Sequence, residues 1–232
     1  MDRPLPHRHE AFDASQLRWV HPAQQARARQ RLERLLNAAE RLVAARGVDD
    51  VAVTELCATA GCSVGSFYRR FHGKNGLVQA LHERFCAEAC ATADQVLNPE
   101  RWLGVPTAAV LTEVARFLVE VYRSREGLIR AFLARAIADA EIHRRNRRMF
   151  SHLSMRTREL LAAREGDFDH PDPERASRFA VHLLLGALNH IVQLRPGELQ
   201  SSTEPVEREL ARTFCRYLGL RNPQVARRRS AS

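Results

Sequence analysis

The sequence predicts an all-α fold, a small N-terminal three-helix unit followed by a larger helical domain. Ala, Leu, Arg and Glu supply much of the chain, whereas Gly and Pro are scarce, 11 and 10 in 232 residues, so long helices are seldom interrupted. Apolar residues recur at three- and four-residue spacing along most of the length. Strand formers never gather into alternating runs. A composition 45% hydrophobic and 27% charged belongs to a chain that buries a core, not to a disordered one.

Taken in order, residues 1–26 mix His, Pro, Arg and single aromatics without a period, and read as a flexible arm with Trp19 as a local anchor. Arg27, Arg29, Arg31 and Arg34 lead into the first helix, whose apolar stripe is Leu35, Leu36, Ala39, Leu42 and Val43. Arg46-Gly47 ends it, Gly47 suiting a left-handed C′ position. Val53, Leu56 and Cys57 give the second helix an inward face that stops at Ala60-Gly61. Val51-Ala52 offers this helix no side-chain N-cap, and Glu55 leaves half of a capping box. Ser63 caps the third helix by accepting from an orphaned backbone N–H, and Val64 to Arg70 continue it, with Phe67 and Phe71 one turn apart on the inner side. His72-Gly73 break the chain before a fourth helix, from Lys74-Asn75 to about Leu97. Residues 27–80 thus form one small unit, and 81–220 a larger one. In the latter, helices are expected over Pro106–Ser124, Glu126–Arg135, Asp139–Arg164, Asp172–Leu194 and Thr203–Leu218, with breaks at Gly166–Pro171 and Arg195–Ser202. Gly219 stops the last helix, and Arg227, Arg228 and Arg229 lie in a basic tail, 221–232. There is no internal repeat.

The net charge is +9, and Lys74 is the only lysine among the 36 basic residues. Such a surplus favours polyanionic partners without identifying a groove-binding protein. No apolar signal core follows the first charges, and no window reaches the length of a membrane span. Five cysteines, an odd number without a short framework, point to a reducing compartment. A cytoplasmic protein with no membrane partner is expected.

The informative segment is residues 39–81. Three short helices bury little alone, so Leu42, Leu56, Phe67 and Phe71 should share one small core, with Gly61 allowing the sharp turn between helices two and three. The opposite face of helix three is then small and polar: Val64, Gly65, Ser66, Arg69. A face with small residues at its N-terminal end can approach base edges unobstructed.

The run from Ala60 through Gly61, Cys62, Ser63, Val64, Gly65, Ser66, Phe67, Tyr68, Arg69 and Arg70 to Phe71, followed by His72-Gly73-Lys74-Asn75-Gly76-Leu77, closely resembles the signature of the tetracycline-repressor-like (TetR) family. Ala38-Ala39, Leu42, Gly47 and Leu56 fit upstream. The match covers about a fifth of the chain, and the rest agrees in length and layout only. The resemblance implies a helix-turn-helix in which Val64, Gly65 and Ser66 face the major groove, Ser63 caps the recognition helix, Tyr68 meets a phosphate, Lys74 meets the backbone at the start of helix four, and Thr54 contacts bases or phosphate. Arg69 and Arg70 replace commoner aromatic and histidine residues and are candidates for phosphate or guanine. Each has an ordinary alternative: Tyr68 as a core-edge residue, Lys74 as a solvated helix start, the arginines as surface charge. Cys62 stands where valine is common and reads as a small buried hydrophobe.

In the larger part, Phe179, Leu183, Leu184, Ala187 and Ile191 recur at helical spacing. With Val206, Leu210, Phe214 and Leu218 they make either a four-helix interface across a two-fold axis, as the resemblance implies, or an intramolecular core. The resemblance also implies a small-molecule effector site, with Phe117, Tyr122, Phe132, His143, Phe150, His182, Asn189 and His190 as candidate lining. Arg144, Arg145, Arg147 and Arg148 suit an anion or a solvated face. His82, Cys86 and Cys90, spaced four apart, lie along one side of helix four. Three ligands on successive turns span about 12 Å, too far to surround one ion, so helix packing is preferred to metal binding or redox sensing. No metal or cofactor is expected. Nor is catalysis, since there is no nucleotide-binding glycine loop, serine elbow or compact acid/base motif. The expected function is a DNA-binding transcriptional regulator, a homodimeric repressor on a palindromic operator with a small-molecule effector. The alternatives are a helical protein-interaction adaptor and a redox- or metal-responsive regulator.

Overall fold

The computed structural model describes residues 26–194 and 206–220. The expected arm, the 195–202 break and the basic tail lie outside the described residues, apart from Ala26, which begins the first helix. Among them are nine α-helices: α1 Ala26–Arg46, α2 Val53–Ala60, α3 Val64–Tyr68, α4 Gly73–Val96, α5 Thr107–Ser124, α6 Glu126–Ala136, α7 Ala140–Ala162, α8 Pro173–Leu194 and α9 Val206–Tyr217. Short 3-10 turns occupy Pro99–Trp102 and Glu165–Asp167. The only backbone bridge outside helices among these residues joins Phe168 to Leu220. The fold is all-α, with a three-helix N-terminal head and a larger helical region.

The boundaries follow local chemistry. α7 and α8 each start one residue later than their periodicity suggests because Asp139 and Asp172 serve as caps. The Asp139 carboxylate accepts from the N–H groups of Glu141 and Ile142 at 3.0 and 3.2 Å, and that of Asp172 accepts from Arg175 N–H at 3.0 Å. Each satisfies helix-start donors that would otherwise be orphaned. Gly47 and Gly219 follow α1 and α9 with φ of 85° and 66°, as expected. At α2 the cap is Ala52, without a side-chain bond, and Glu55 pairs with Arg46 instead of turning back.

The residues pack into two compact units, one of 26–91 with 125–149, the other of 92–124 with 150–194 and 206–220. The first has one apolar core drawn from α1 (Leu32, Leu36, Val43), α2 (Leu56), α3 and its end (Phe67, Phe71), α4 (Leu77, Leu81) and α6 (Leu128, Phe132). α6 lies hard against α1: a Cβ at Gly127 would sit 1.9 Å from the Ala44 carbonyl oxygen, so only glycine permits this approach. A polar layer runs beside the core. Arg84, 4% exposed, pairs with Glu40 and donates to Asn37 Oδ1 at 2.9 Å. His82 is wholly buried. Its Nε2 meets Asn146 Oδ1 at 2.9 Å and its Nδ1 meets Arg145 Nη1 at 2.8 Å. The guanidinium only donates, so the neutral Nε2–H tautomer fits both partners.

In the second unit α9 packs on α5 and α8, Phe214 and Leu218 joining Leu111, Ala176, Ala180 and Leu184 in a core. A separate cluster gathers Val96, Trp102, Val110 and Leu160. The corner before α5 is pinned by Arg164, which donates to the carbonyls of Trp102 and Val105 at 2.6 and 2.9 Å and to Thr107 Oγ1 at 2.9 Å. The apolar residues Phe214 and Leu218 are therefore spent inside their own chain, whereas Phe179 and Leu183 of α8 face outward, 52% and 39% exposed.

Candidate nucleic-acid interface

The geometry of the head begins at Gly61, with φ 64° and ψ 43°. Its N–H reaches the Ala58 carbonyl at 3.2 Å, and the Cys62 N–H reaches that of Cys57 at 2.9 Å. This paired closure consumes carbonyls that α2 would leave unsatisfied. The chain leaves the turn extended at Ser63 (φ −80°, ψ 152°), whose Oγ accepts from the Ser66 N–H at 3.2 Å. That one cap starts α3, a helix of five residues held chiefly by the burial of Phe67 and Phe71, with ring centroids 5.3 Å apart.

With Phe67 turned inward, the opposite surface of α3 is set. Ser63, Val64, Gly65, Tyr68 and Arg69 are exposed and Ser66 half-buried. Val64 is 38% and Tyr68 56% exposed, although both carry large apolar surface. Tyr68 leans edge-on against Phe67 at 5.2 Å. Arg69 Nη2 donates to Ser66 Oγ at 3.0 Å, and the Ser63 and Ser66 hydroxyls lie 3.0 Å apart, a polar strip along the helix. At Gly65 an added Cβ would meet nothing within 4 Å, and its φ is not positive. The fold itself therefore has no use for a glycine there. Thr54 is exposed in the first turn of α2, and Arg70 is half-buried.

At the start of α4, Lys74 Nζ donates to the Asp49 carbonyl at 2.7 Å. Arg135, from the end of α6, reaches Asn75 Oδ1 at 3.3 Å and Asp49 Oδ1 at 3.5 Å. Asp49, Asn75 and Arg135 were not among the residues singled out from sequence. No local signal joins them, because the contact spans 60 residues from Asn75 to Arg135.

The effector candidates fall in both units. Phe132 belongs to the core of the first unit, its ring 4.8 Å from that of His82 and 5.5 Å from that of Phe85, and His143 of the same unit is exposed. In the second unit His182 and His190 are exposed, while Phe117, Phe150 and Asn189 are half-buried. The packing brings one candidate pair together: Tyr122 Oη donates to Asn189 Oδ1 at 2.7 Å. Burial raises the Tyr122 phenol above its ordinary range, so it remains a donor. His82 and Cys86 are buried neighbours, Cys86 Sγ lying 3.6 Å from His82 Nε2. Desolvation lowers His82 to about 4 and raises Cys86 to about 12. Both imidazole nitrogens are already engaged, and among the described residues no three metal-ligating side chains gather.

Residues 35–81 match the family model described as bacterial regulatory proteins, tetR family, and residues 106–218 match that of the tetracyclin repressor-like C-terminal domain. No curated protein sequence matches the chain significantly. Among solved structures, a TetR-family transcriptional regulator from Mesorhizobium loti is 18% identical with a TM-score of 0.66, over 84% of this chain and 96% of that one. A TetR regulator from Haloarcula marismortui is 18% identical with a TM-score of 0.65, over 82% and 98%. NalD of Pseudomonas aeruginosa, the secondary repressor of a multidrug efflux pump, is 19% identical with a TM-score of 0.59, over 84% and 99%. At these identities the likeness concerns the fold.

Proposed function

The chain belongs to the TetR family of bacterial regulatory proteins, DNA-binding regulators and not enzymes, and from that premise we propose that it represses transcription as a homodimer on a palindromic operator, reading DNA with α3. The observation that carries the reading is Gly65. A glycine within a helix costs roughly 0.5–1 kcal/mol relative to alanine, yet here neither a tight contact nor a positive φ calls for it. A smooth, exposed first turn of Val64, Gly65 and Ser66 suits close approach to base edges in the major groove. Tyr68 projects a hydroxyl beyond that turn, and Lys74 with Arg69 and Arg70 supplies cationic groups suited to phosphates. Thr54, exposed in the first turn of α2, is the further candidate for a DNA contact. Phosphate contacts fix orientation, and α3 then supplies the sequence reading.

A palindrome with half-sites about one helical turn apart, ~34 Å, requires two related heads. The outward Phe179 and Leu183 of α8 provide the apolar patch for a two-fold interface. NalD is a repressor, and repression is the mode proposed for this chain. A small, partly apolar effector in the second unit, with the part-buried Tyr122–Asn189 pair as its polar element, would regulate binding by preferring one arrangement of the dimer. The protein works in the cytoplasm, in keeping with its five free thiols. No described helix is long and apolar enough to cross a membrane.

The test is selection of genomic fragments with the purified protein, then titration over a range of salt. Tyr68→Phe and Lys74→Ala should weaken binding to every selected fragment by a similar factor, since a lost phosphate contact carries no sequence preference. Wild-type affinity in both variants at all salt concentrations would remove these residues from the interface.

A further inference from the structure

The turn between α2 and α3 carries a thiol on each side. Cys57 lies in the last turn of α2, and Cys62 is the residue after Gly61. The left-handed Gly61 folds the chain so that the Cys62 N–H bonds the Cys57 carbonyl at 2.9 Å. This closure brings together the side chains of just those two positions. Both belong to the core beneath α3, Cys57 2% exposed and Cys62 partly so. We propose that Cys57 and Cys62 form a peroxide-responsive dithiol whose oxidation to a disulfide displaces the DNA-reading helix.

The steps balance with hydrogen peroxide as the oxidant. The Cys62 thiolate, the one with a path to solvent, attacks a peroxide oxygen. The O–O bond breaks, and the products are a Cys62 sulfenic acid and hydroxide, which takes up the thiol's proton as water. Cys57 then gives up its proton and attacks the Cys62 sulfur. The S–O bond breaks, and the leaving hydroxide departs as a second water. Two thiols lose two electrons, and the peroxide gains them. Burial raises the Cys57 thiol to about 11, which leaves the first attack to Cys62.

Forming the bond brings the sulfurs to about 2.05 Å, closer than two unbonded thiols approach, and Cys62 is joined directly to Ser63. α3 starts from Ser63, whose Oγ accepts from the Ser66 N–H and whose carbonyl accepts from the N–H groups of Ser66 and Phe67, so a shift of that residue re-aims Val64, Gly65 and Ser66 together. The regulatory consequence rests on the DNA-reading role proposed for α3; the chemistry of the pair does not.

The experiment treats the full-length reduced protein with hydrogen peroxide. Tryptic cleavage after Arg46 and Arg69 releases one peptide holding both thiols and no other cysteine. The expected result is that peptide lighter by two hydrogens, restored by dithiothreitol, with no loss in Cys62→Ala. In Cys57→Ala, dimedone should trap a sulfenic acid at Cys62. Oxygen added to the peptide without hydrogen loss, or a disulfide at other cysteines, overturns the pairing. Hydrogen exchange over residues 63–69 should quicken on oxidation, and unchanged exchange overturns the displacement. Fragments selected with reduced protein should bind the oxidised form about tenfold more weakly, the scale of one misplaced base contact; equal affinity overturns the switch. If reduced protein selects no DNA, the DNA-reading role fails, while peptide mass and exchange still decide the dithiol.

Discussion

Gly65 and Phe67 sit two residues apart and are set by opposite demands. Phe67 is fully buried and ties α3 to the head, whereas Gly65 leaves open space where the protein has room for a methyl group. The substitution Gly65→Ala therefore separates folding from binding. Denaturant titration should find the variant more stable by up to about 1 kcal/mol, and mobility shift should find weaker DNA binding. A variant that is more stable and binds as well as the wild type would remove the reason assigned to the glycine. His82 gives a second residue-scale expectation. Its ordinary value of 6.5 falls to about 4 in the folded chain, first through desolvation. Between those values the unfolded chain carries a proton that the folded chain does not, so stability falls as pH drops from 6.5 towards 4 and is unaffected above that window. The loss is on the order of 3 kcal/mol. Denaturation midpoints between pH 7.5 and about 4.5 should fall more steeply for the wild type than for His82→Gln. Parallel profiles would mean that the buried imidazole does not govern acid sensitivity.

At the scale of elements, closeness of approach decides the architecture. α6 meets α1 at Gly127, where any side chain collides with the Ala44 carbonyl. Gly127→Ala should force the helices apart and cost about 1–3 kcal/mol, the usual range for overpacking. Thermal denaturation measures it, and an unchanged midpoint would contradict the packing. Arg135 at the end of α6 reaches Asn75 and Asp49 beside Lys74, so the same displacement should also disturb the start of α4. α9 illustrates the converse case. Its periodicity is compatible with an interface or an internal core, and Phe214 and Leu218 are buried against Leu111 of α5, which leaves Arg208, Glu209, Arg212 and Arg216 outward.

For the molecule as a whole, assembly and regulation are linked equilibria. Leu183→Glu, with Phe179→Glu as an independent variant that also loses the 5.3 Å ring contact with Tyr217, places a charge on the exposed face of α8. Either should shift sedimentation at micromolar concentration from dimer to monomer and abolish high-affinity operator binding. A variant that stays dimeric would move the interface elsewhere. Any inducer must satisfy reciprocity: operator DNA lowers its affinity by the factor by which it lowers DNA affinity. Calorimetric titration with and without operator reads that factor, and equal affinities would exclude the compound as an equilibrium inducer.

The elements of the head and their punctuation were legible in the amino-acid order alone. Gly61 as the turn, Ser63 as the cap, Phe67 and Phe71 as inward residues and Ala52 as an uncapped start are local choices, made by backbone conformation and by hydrogen bonds within a few residues. For the same reason the helix ends after residue 100 lay within a few residues of their observed positions. The features set by packing join residues far apart in the chain. The Arg135 contact with Asn75, the close approach of Gly127 to Ala44 and the capture of His82 between Asn146 and Arg145 leave no periodic trace. Helical spacing of apolar residues shows that a face is buried, but not what covers it. The meeting of Tyr122 with Asn189, and the division of α8 into an inner face of Ala180 and Leu184 and an outer one of Phe179 and Leu183, depend on which helices pack around it, since burial is a property of the neighbours a side chain finds and not of the side chain alone.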